Sequence, residues 1–283
     1  MEPLYTPGNV KAAYQLRWSL ALFAKSRLPS ADIWLSSLRE VVERDAVRIL
    51  ELEPRARDVW QFYLSTQPAV APPQIVKSVK GRLQHLLGPT HPDAFRRNFS
   101  LVAVGDAKRE VVEEYVASQL GHHRMADPCV QALLRKYQLD FPDVDLAEHQ
   151  LSSHGTYVYS LHVVLVHEGR WNEIREKQLD KTRDMVLRAA REKKHQLSRL
   201  SLLADHLHLV AGIPFNQSPQ DVALAYMNNL AFAHGMRAVF CPSYYSGTVG
   251  EYDTGAIWTS IASSRGPTDA GSVETGRSVE GGL

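Results

Sequence analysis

Cysteine is scarce in this chain of 283 residues. The two present, Cys129 and Cys241, sit in no CxxC or zinc-finger spacing, which excludes a disulfide scaffold and a thiolate zinc site and points to a reducing compartment. Long hydrophobic runs are missing too: no stretch approaches the roughly 18 apolar residues of a membrane span. The opening Met1-Glu2-Pro3-Leu4-Tyr5-Thr6-Pro7-Gly8 lacks a basic segment followed by an apolar one. The expectation is a cytoplasmic protein with no membrane association. Excess charge of one sign is also absent. Lys and Arg number 32 against 31 Asp and Glu, a formal net charge of +1, so the chain is not a globally basic nucleic-acid binder, although local patches survive in a near-neutral total. What is present, 44% hydrophobic and 22% charged residues, is globular composition sufficient for one large domain or two modest ones.

In the first half, the aromatic and aliphatic stretch Tyr14–Phe23 predicts a strand. Ile33, Leu35, Leu38, Val41 and Val42 keep helical spacing after Ser30, a plausible cap. Ala46–Leu52 and Val59–Leu64, separated by Glu53-Pro54-Arg55-Ala56-Arg57-Asp58, read as a hairpin. A helix over 74–83 turns Ile75, Val76, Val79 and Leu83 inward and a basic face outward. Lys77, Lys80 and Arg82, with Arg96 and Arg97 a little later, form a candidate row for a phosphate backbone, or a solvated face. A strand over Phe95–Gly105 leads into a helix over Arg109–Leu120, on which Tyr115 and Gln119, four apart, share a face.

The second half repeats the first. Pro68 falls on Pro214 and Pro73-Gln74-x-Val76 on Pro219-Gln220-x-Val222 at an offset of 146 residues; Ala103-Val104-Gly105 falls on Thr248-Val249-Gly250, and Tyr14-x-Leu16 on Tyr159-x-Leu161, at 145. The second unit then reads as strand Tyr157–His167, helix from about Trp171 to Gln196, strand Leu202–Gly212, helix Pro219–His234 and strand Ala238–Gly250. Two βαββαβ units, each an antiparallel sheet with helices on one face, make an α+β fold. The expected organisation is a first unit over 8–125, a connector over 126–153, a second unit over 154–262 and a disordered tail over 263–283, which holds almost no large apolar residue.

Within the second unit lies His206-Leu207-His208. On a strand the two imidazoles share one face while Leu207 and Leu209 point into the core, so the pair is either half of a metal site or two histidines on a wet strand face. A third ligand and a reacting group elsewhere decide between them.

These features, taken in order, resemble the single-tyrosine HUH transposases, the group of insertion-sequence and REP-associated tyrosine transposases. The resemblance rests on the opening strand, the His206-Leu207-His208 strand, the turn into a Pro-Gln-x-Val helix, and the Val104-Gly105 strand end before the helix with Tyr115 and Gln119. It implies two tandem ferredoxin-like (RRM-like) HUH domains fused as a pseudo-dimer. In that family two histidines and a further polar residue hold a divalent ion, and a helix tyrosine attacks single-stranded DNA, usually completing the partner subunit's site. Here Trp60 and Phe62 stand where the first unit's histidines are expected, and Ser260 stands at the second unit's tyrosine position. The resemblance therefore implies one composite site: Tyr115 as nucleophile, His206, His208 and Gln119 as ligands of Mg²⁺ or Mn²⁺, and single-stranded, hairpin-forming DNA nicked and transferred through a 5′-phosphotyrosine. Tyr244, Tyr245 and Tyr252 are alternative nucleophiles in cis. The alternative function is a domesticated, catalytically inactive protein that binds single-stranded or hairpin DNA, and an unrelated metal-dependent hydrolase ranks third.

Overall fold

A computed structural model describes residues 2–122, 125 and 127–251. The tail expected to be disordered, together with Tyr252 and Ser260, lies outside the described residues. The chain runs β1 (Lys11–Gln15), β2 (Arg17–Ala24), α1 (Leu35–Glu43), β3 (Val47–Ala56), β4 (Val59–Thr66), α2 (Pro72–Val76) and α3 (Arg82–Leu87) joined by a π-turn, then β5 (Phe95–Val104) and α4 (Arg109–His122). It continues with α5 (Pro128–Arg135), β6 (Gln138–Asp140), β7 (Gln150–Leu151), β8 (Thr156–Val158), β9 (Ser160–Val166), α6 (Glu176–Lys193), β10 (Gln196–Leu202), β11 (His206–Gly212), α7 (Pro219–Ala233) and β12 (Ser243–Thr248).

The fold is α+β, with antiparallel-rich sheets. One six-stranded sheet has the order β3-β4-β2-β5-β8-β7, the other β1-β12-β9-β11-β10-β6. In the first, β2 carries Trp18, Leu20 and Leu22 into a core shared with Leu38 and Val42 of α1 and with Ile75, Val79 and Leu83 of the α2–α3 segment. In the second, Leu207 and Leu209 of β11 enter the same continuous core with Leu179 and Val186 of α6 and Tyr226 and Leu230 of α7. Local signals place α7 well: Ser218 and Asp221 form a reciprocal capping box before Pro219 at the first turn.

Several sequence expectations are corrected. Tyr14–Phe23 is not one strand: the chain changes sheets at Leu16, with β1 running parallel to β12 and β2 lying between β4 and β5. The reason is the end of the ladder. Arg17 already faces the last paired residues, Ser65 and Val104, so the preceding segment finds partners only on the outer edge of β12. The expected strand Tyr157–His167 divides in the same way, β8 pairing parallel with β5 and β9 returning to the second sheet. The helix expected to reach Gln196 stops at Lys193, and a further strand, β10, turns at Leu203–Asp205 into β11, where Leu203 N donates to His206 O at 2.9 Å. Residues 126–153, expected as a connector, supply α5, β7 and β6, which lengthens the second sheet beside β10.

Candidate functional site

Strand alternation sets the site. β11 lies between β9 and β10, with His206 opposite Val166, His208 opposite Val164 and Val210 opposite His162. Cross-strand partners share a face, so His162, His206 and His208 emerge together on the side away from α6 and α7. That side is covered by α4, which follows the other sheet's β5. Val116 of α4 is buried against Val210, Val249 and Leu146, with Val112 beside it. One residue before Val116, Tyr115 stands half exposed with its ring edge-on to His208 (centroids 5.8 Å apart) and to His162 (6.2 Å).

The three imidazoles form a tight group. His162 Nε2 and His208 Nδ1 are 3.0 Å apart with their rings stacked, and the His206 and His208 rings lie 5.0 Å apart. Burial pushes the His162 imidazole down to about 4, so it is neutral at neutral pH. His206 Nδ1 meets Asp205 Oδ1 at 2.6 Å, and Arg170 holds the other carboxylate oxygen at 2.9 Å. Burial works against the Asp205 carboxylate, yet bonds from His206 and Arg170 hold it below the ordinary range. Tyr245 reaches the same face, its ring 5.7 Å from that of His162; burial, then the Asp106 carboxylate and Tyr115, raise its hydroxyl. Gly247 leaves room for it, since a Cβ there would stand 2.6 Å from the Tyr245 hydroxyl. Tyr244, one residue away, points into the core, where burial pushes it up to about 12. Asp106, just beyond β5, is itself held by Gln15 and Arg17.

Other expected site residues lie elsewhere or are otherwise engaged. Gln119 is buried on α4 and donates its amide N–H to the Tyr115 carbonyl at 3.0 Å, a bond within its own helix. Lys80 donates to the carbonyls of Arg97 (2.6 Å) and Asn98 (3.3 Å), and burial pushes its ammonium down to about 8. Arg82 pairs with Asp45 and Arg96 with Asp58, while Lys77 and Arg97 are exposed. Trp60 and Phe62 face the helices, packing on Trp34. On β4 the residues on the opposite side are Val59, Gln61 and Tyr63, so Trp60 and Phe62 stand on the core face, as Leu207 and Leu209 do on β11. The sequence reading did not single out His162. The signal available was its place in an alternating strand, but only the pairing with β11 brings it to His208.

Among the described residues no group of three or more His, Cys, Asp or Glu is arranged to hold a metal ion.

No family model matches the sequence, and no curated protein does. A solved REP-associated tyrosine transposase bound to a REP hairpin aligns at 12% identity and a TM-score of 0.30, over 36% of this chain and 62% of that one. The chain therefore spans less than two thirds of that transposase. A protein described as a transposase from Deinococcus radiodurans aligns at 22% identity and a TM-score of 0.28, over 38% of this chain and 92% of that one. One described as a glycine cleavage system transcriptional repressor aligns at 9% identity and a TM-score of 0.23, over 83% of this chain and 99% of that one. Likenesses this weak carry no argument about function, which rests on the site itself.

Proposed function

We propose that this protein nicks and transfers single-stranded DNA through a 5′-phosphotyrosine at one composite site, with Tyr115 of α4 as nucleophile and the histidines of β9 and β11 around it. The observation that carries the reading is the Tyr115 ring edge-on to His208 at 5.8 Å, although helix and strand belong to different sheets.

The wider organisation is read in the same way. In each sheet the four strands of a βαββαβ run have the spatial order fourth, first, third, second: β5-β2-β4-β3 and β12-β9-β11-β10. We take these as two ferredoxin-like units in tandem. At the positions of His208 and His162 the first unit then has Gln61 and Ser19, joined by a 2.9 Å hydrogen bond. A pair of imidazoles has a hydrogen-bonded polar pair as its counterpart, which supports a first unit without metal ligands.

The reading takes the imidazoles of the second unit as ligands of a divalent ion, a role their nitrogen donors suit by type. A carboxylate on Nδ1 of His206 leaves Nε2 as the lone-pair nitrogen, the arrangement that orients metal-binding imidazoles. His206 and His208, with the Gln119 amide, would hold Mg²⁺ or Mn²⁺, whose charge offsets that of the phosphate under attack. The chain's own residues do the remainder. The Tyr115 oxygen forms a bond to phosphorus as the bond to the 3′ oxygen breaks; the phenolic proton ends on the released 3′-hydroxyl. The strand stays attached by its 5′ phosphate, so a later attack by a 3′-hydroxyl rejoins it without an external energy source. Val112 and Val116, packed on β11, hold the tyrosine in register with the histidines.

The test is incubation with 3′-labelled hairpin DNA carrying a single-stranded flank, with Mn²⁺. A denaturation-resistant adduct is expected, lost in Tyr115→Phe and in His206→Ala. An adduct that survives Tyr115→Phe but not Tyr245→Phe would move the nucleophile to β12 and end the composite reading. Binding without any adduct would favour the inactive DNA-binding alternative.

A further inference from the structure

At the end of the second sheet, past His206, lies a cavity of about 660 Å³ between the first turns of α6, the last turn of α7 and the segment 167–175. That is the size of a small-molecule site. Its walls are fixed by backbone bonds: Glu173 N donates to Ala204 O at 2.7 Å and Glu168 N to Val239 O at 2.9 Å. Trp171 and Phe232, 60% and 59% exposed, both line it. Exposed apolar rings scattered singly need no explanation, but two lining one cavity, Trp171 from the 167–175 segment and Phe232 from the last turn of α7, offer ring faces for a base. Lys181, Arg175 and Arg237 bring three positive charges against the carboxylates of Glu168 and Glu173. Arg175 is paired with Glu173 and lies 5.9 Å over the Trp171 ring, leaving Lys181 and Arg237 to face a ligand's charge. Burial and nearby Lys181 lower the His234 imidazole, so the cavity does not rely on it for charge.

We propose that this cavity binds a nucleotide, its base stacked on Trp171 and Phe232 and its phosphate met by Lys181 and Arg237. The source is either an unpaired nucleotide of a bound strand or a free nucleoside monophosphate; assigning it to the strand rests on the cleavage reading above. His206 is the link between the two sites. It lines the cavity, and its Nδ1 partner Asp205 is held by Arg170 from the cavity's own wall segment.

The test is titration of the full chain with thymidine monophosphate, read by tryptophan emission. Trp18, Trp34 and Trp60 are buried, and the titration is run on a Trp258→Phe background because Trp258 lies outside the described residues, so Trp171 is the reporter expected to respond. Saturable quenching is expected, absent from Trp171→Phe, with a midpoint at least tenfold higher in Lys181→Glu. No saturable quench, an unchanged midpoint in Lys181→Glu, or equal displacement by inorganic phosphate overturns the proposal. A hairpin oligonucleotide separates the sources: quenching that requires its single-stranded flank assigns the cavity to the strand, and quenching by the monophosphate alone assigns it to a soluble nucleotide. The adduct assay is independent. Quench without adduct removes the cleavage reading and keeps the cavity; adduct without quench does the reverse.

Discussion

His162 is neutral by burial, on an interior strand, against a second histidine and beside two aromatic rings. Its effect on stability has a definite sign. The folded value of about 4 lies below the ordinary value of 6.5, so between those values the unfolded chain takes up a proton that the folded chain refuses. Stability is then lost as pH falls through that window, by an amount of order 2–3 kcal/mol for this residue. Urea melts at pH 7 and pH 4.5 are expected to show a smaller acid loss in His162→Gln than in the wild type; an equal loss counts against a buried neutral imidazole. This residue also marks how far the sequence could be read. His206 and His208 announce themselves by alternation around Leu207. His162 is a lone histidine among Leu161, Val163 and Val164, and its meaning comes from facing Val210, a register no local pattern encodes. The core side of Trp60 and Phe62 is a matter of the same kind, because one residue along a strand separates core from surface.

At the scale of elements, α4 decides whether the candidate site exists. The helix was legible from its spacing, and so was the shared face of Tyr115 and Gln119. Its destination was not, since the choice of sheet depends on what Val112 and Val116 meet in three dimensions. Val116→Ala removes two methyl groups from a fully buried position and is expected to cost about 1–2 kcal/mol in a urea melt. If the packing of α4 on β11 positions the tyrosine, adduct yield falls in this variant even under conditions where the protein remains folded. Unchanged yield would mean that Tyr115 reaches the DNA without that support. The sheet changes at Leu16 and Tyr159 escaped the sequence as well: each strand has suitable residues throughout, and where the ladder ends is set by the partner strands.

For the whole molecule, the two sheets exchange strands and are tied at their meeting point, where the Thr248 hydroxyl donates to Val104 O and accepts from Arg17 N, and Gly105 N donates to Gly250 O. Both glycines are required by the approach: a Cβ at Gly105 would stand 2.6 Å from Thr248 O, and one at Gly250 2.2 Å from Ala103 O. Unfolding is therefore expected as one transition. In a Trp171→Phe, Trp258→Phe chain the remaining tryptophans, the buried Trp18, Trp34 and Trp60, report on the first sheet's half, while far-ultraviolet circular dichroism reports on both halves. Coincident urea midpoints support a single cooperative unit, and separated midpoints would show that the halves melt independently. The exchange also bears on solubility. The outer edges of β5 and β12, rows of N–H and C=O groups that would otherwise template aggregation, are paired with β8 over Ser100–Val102 and with β1 over Ser243–Gly247. The strands left outermost are β7 with two residues, β6 with three, β1 with five, and β3, which carries Pro54 and a series of charges. By crossing over, each half shields the other from adding strands of a foreign chain.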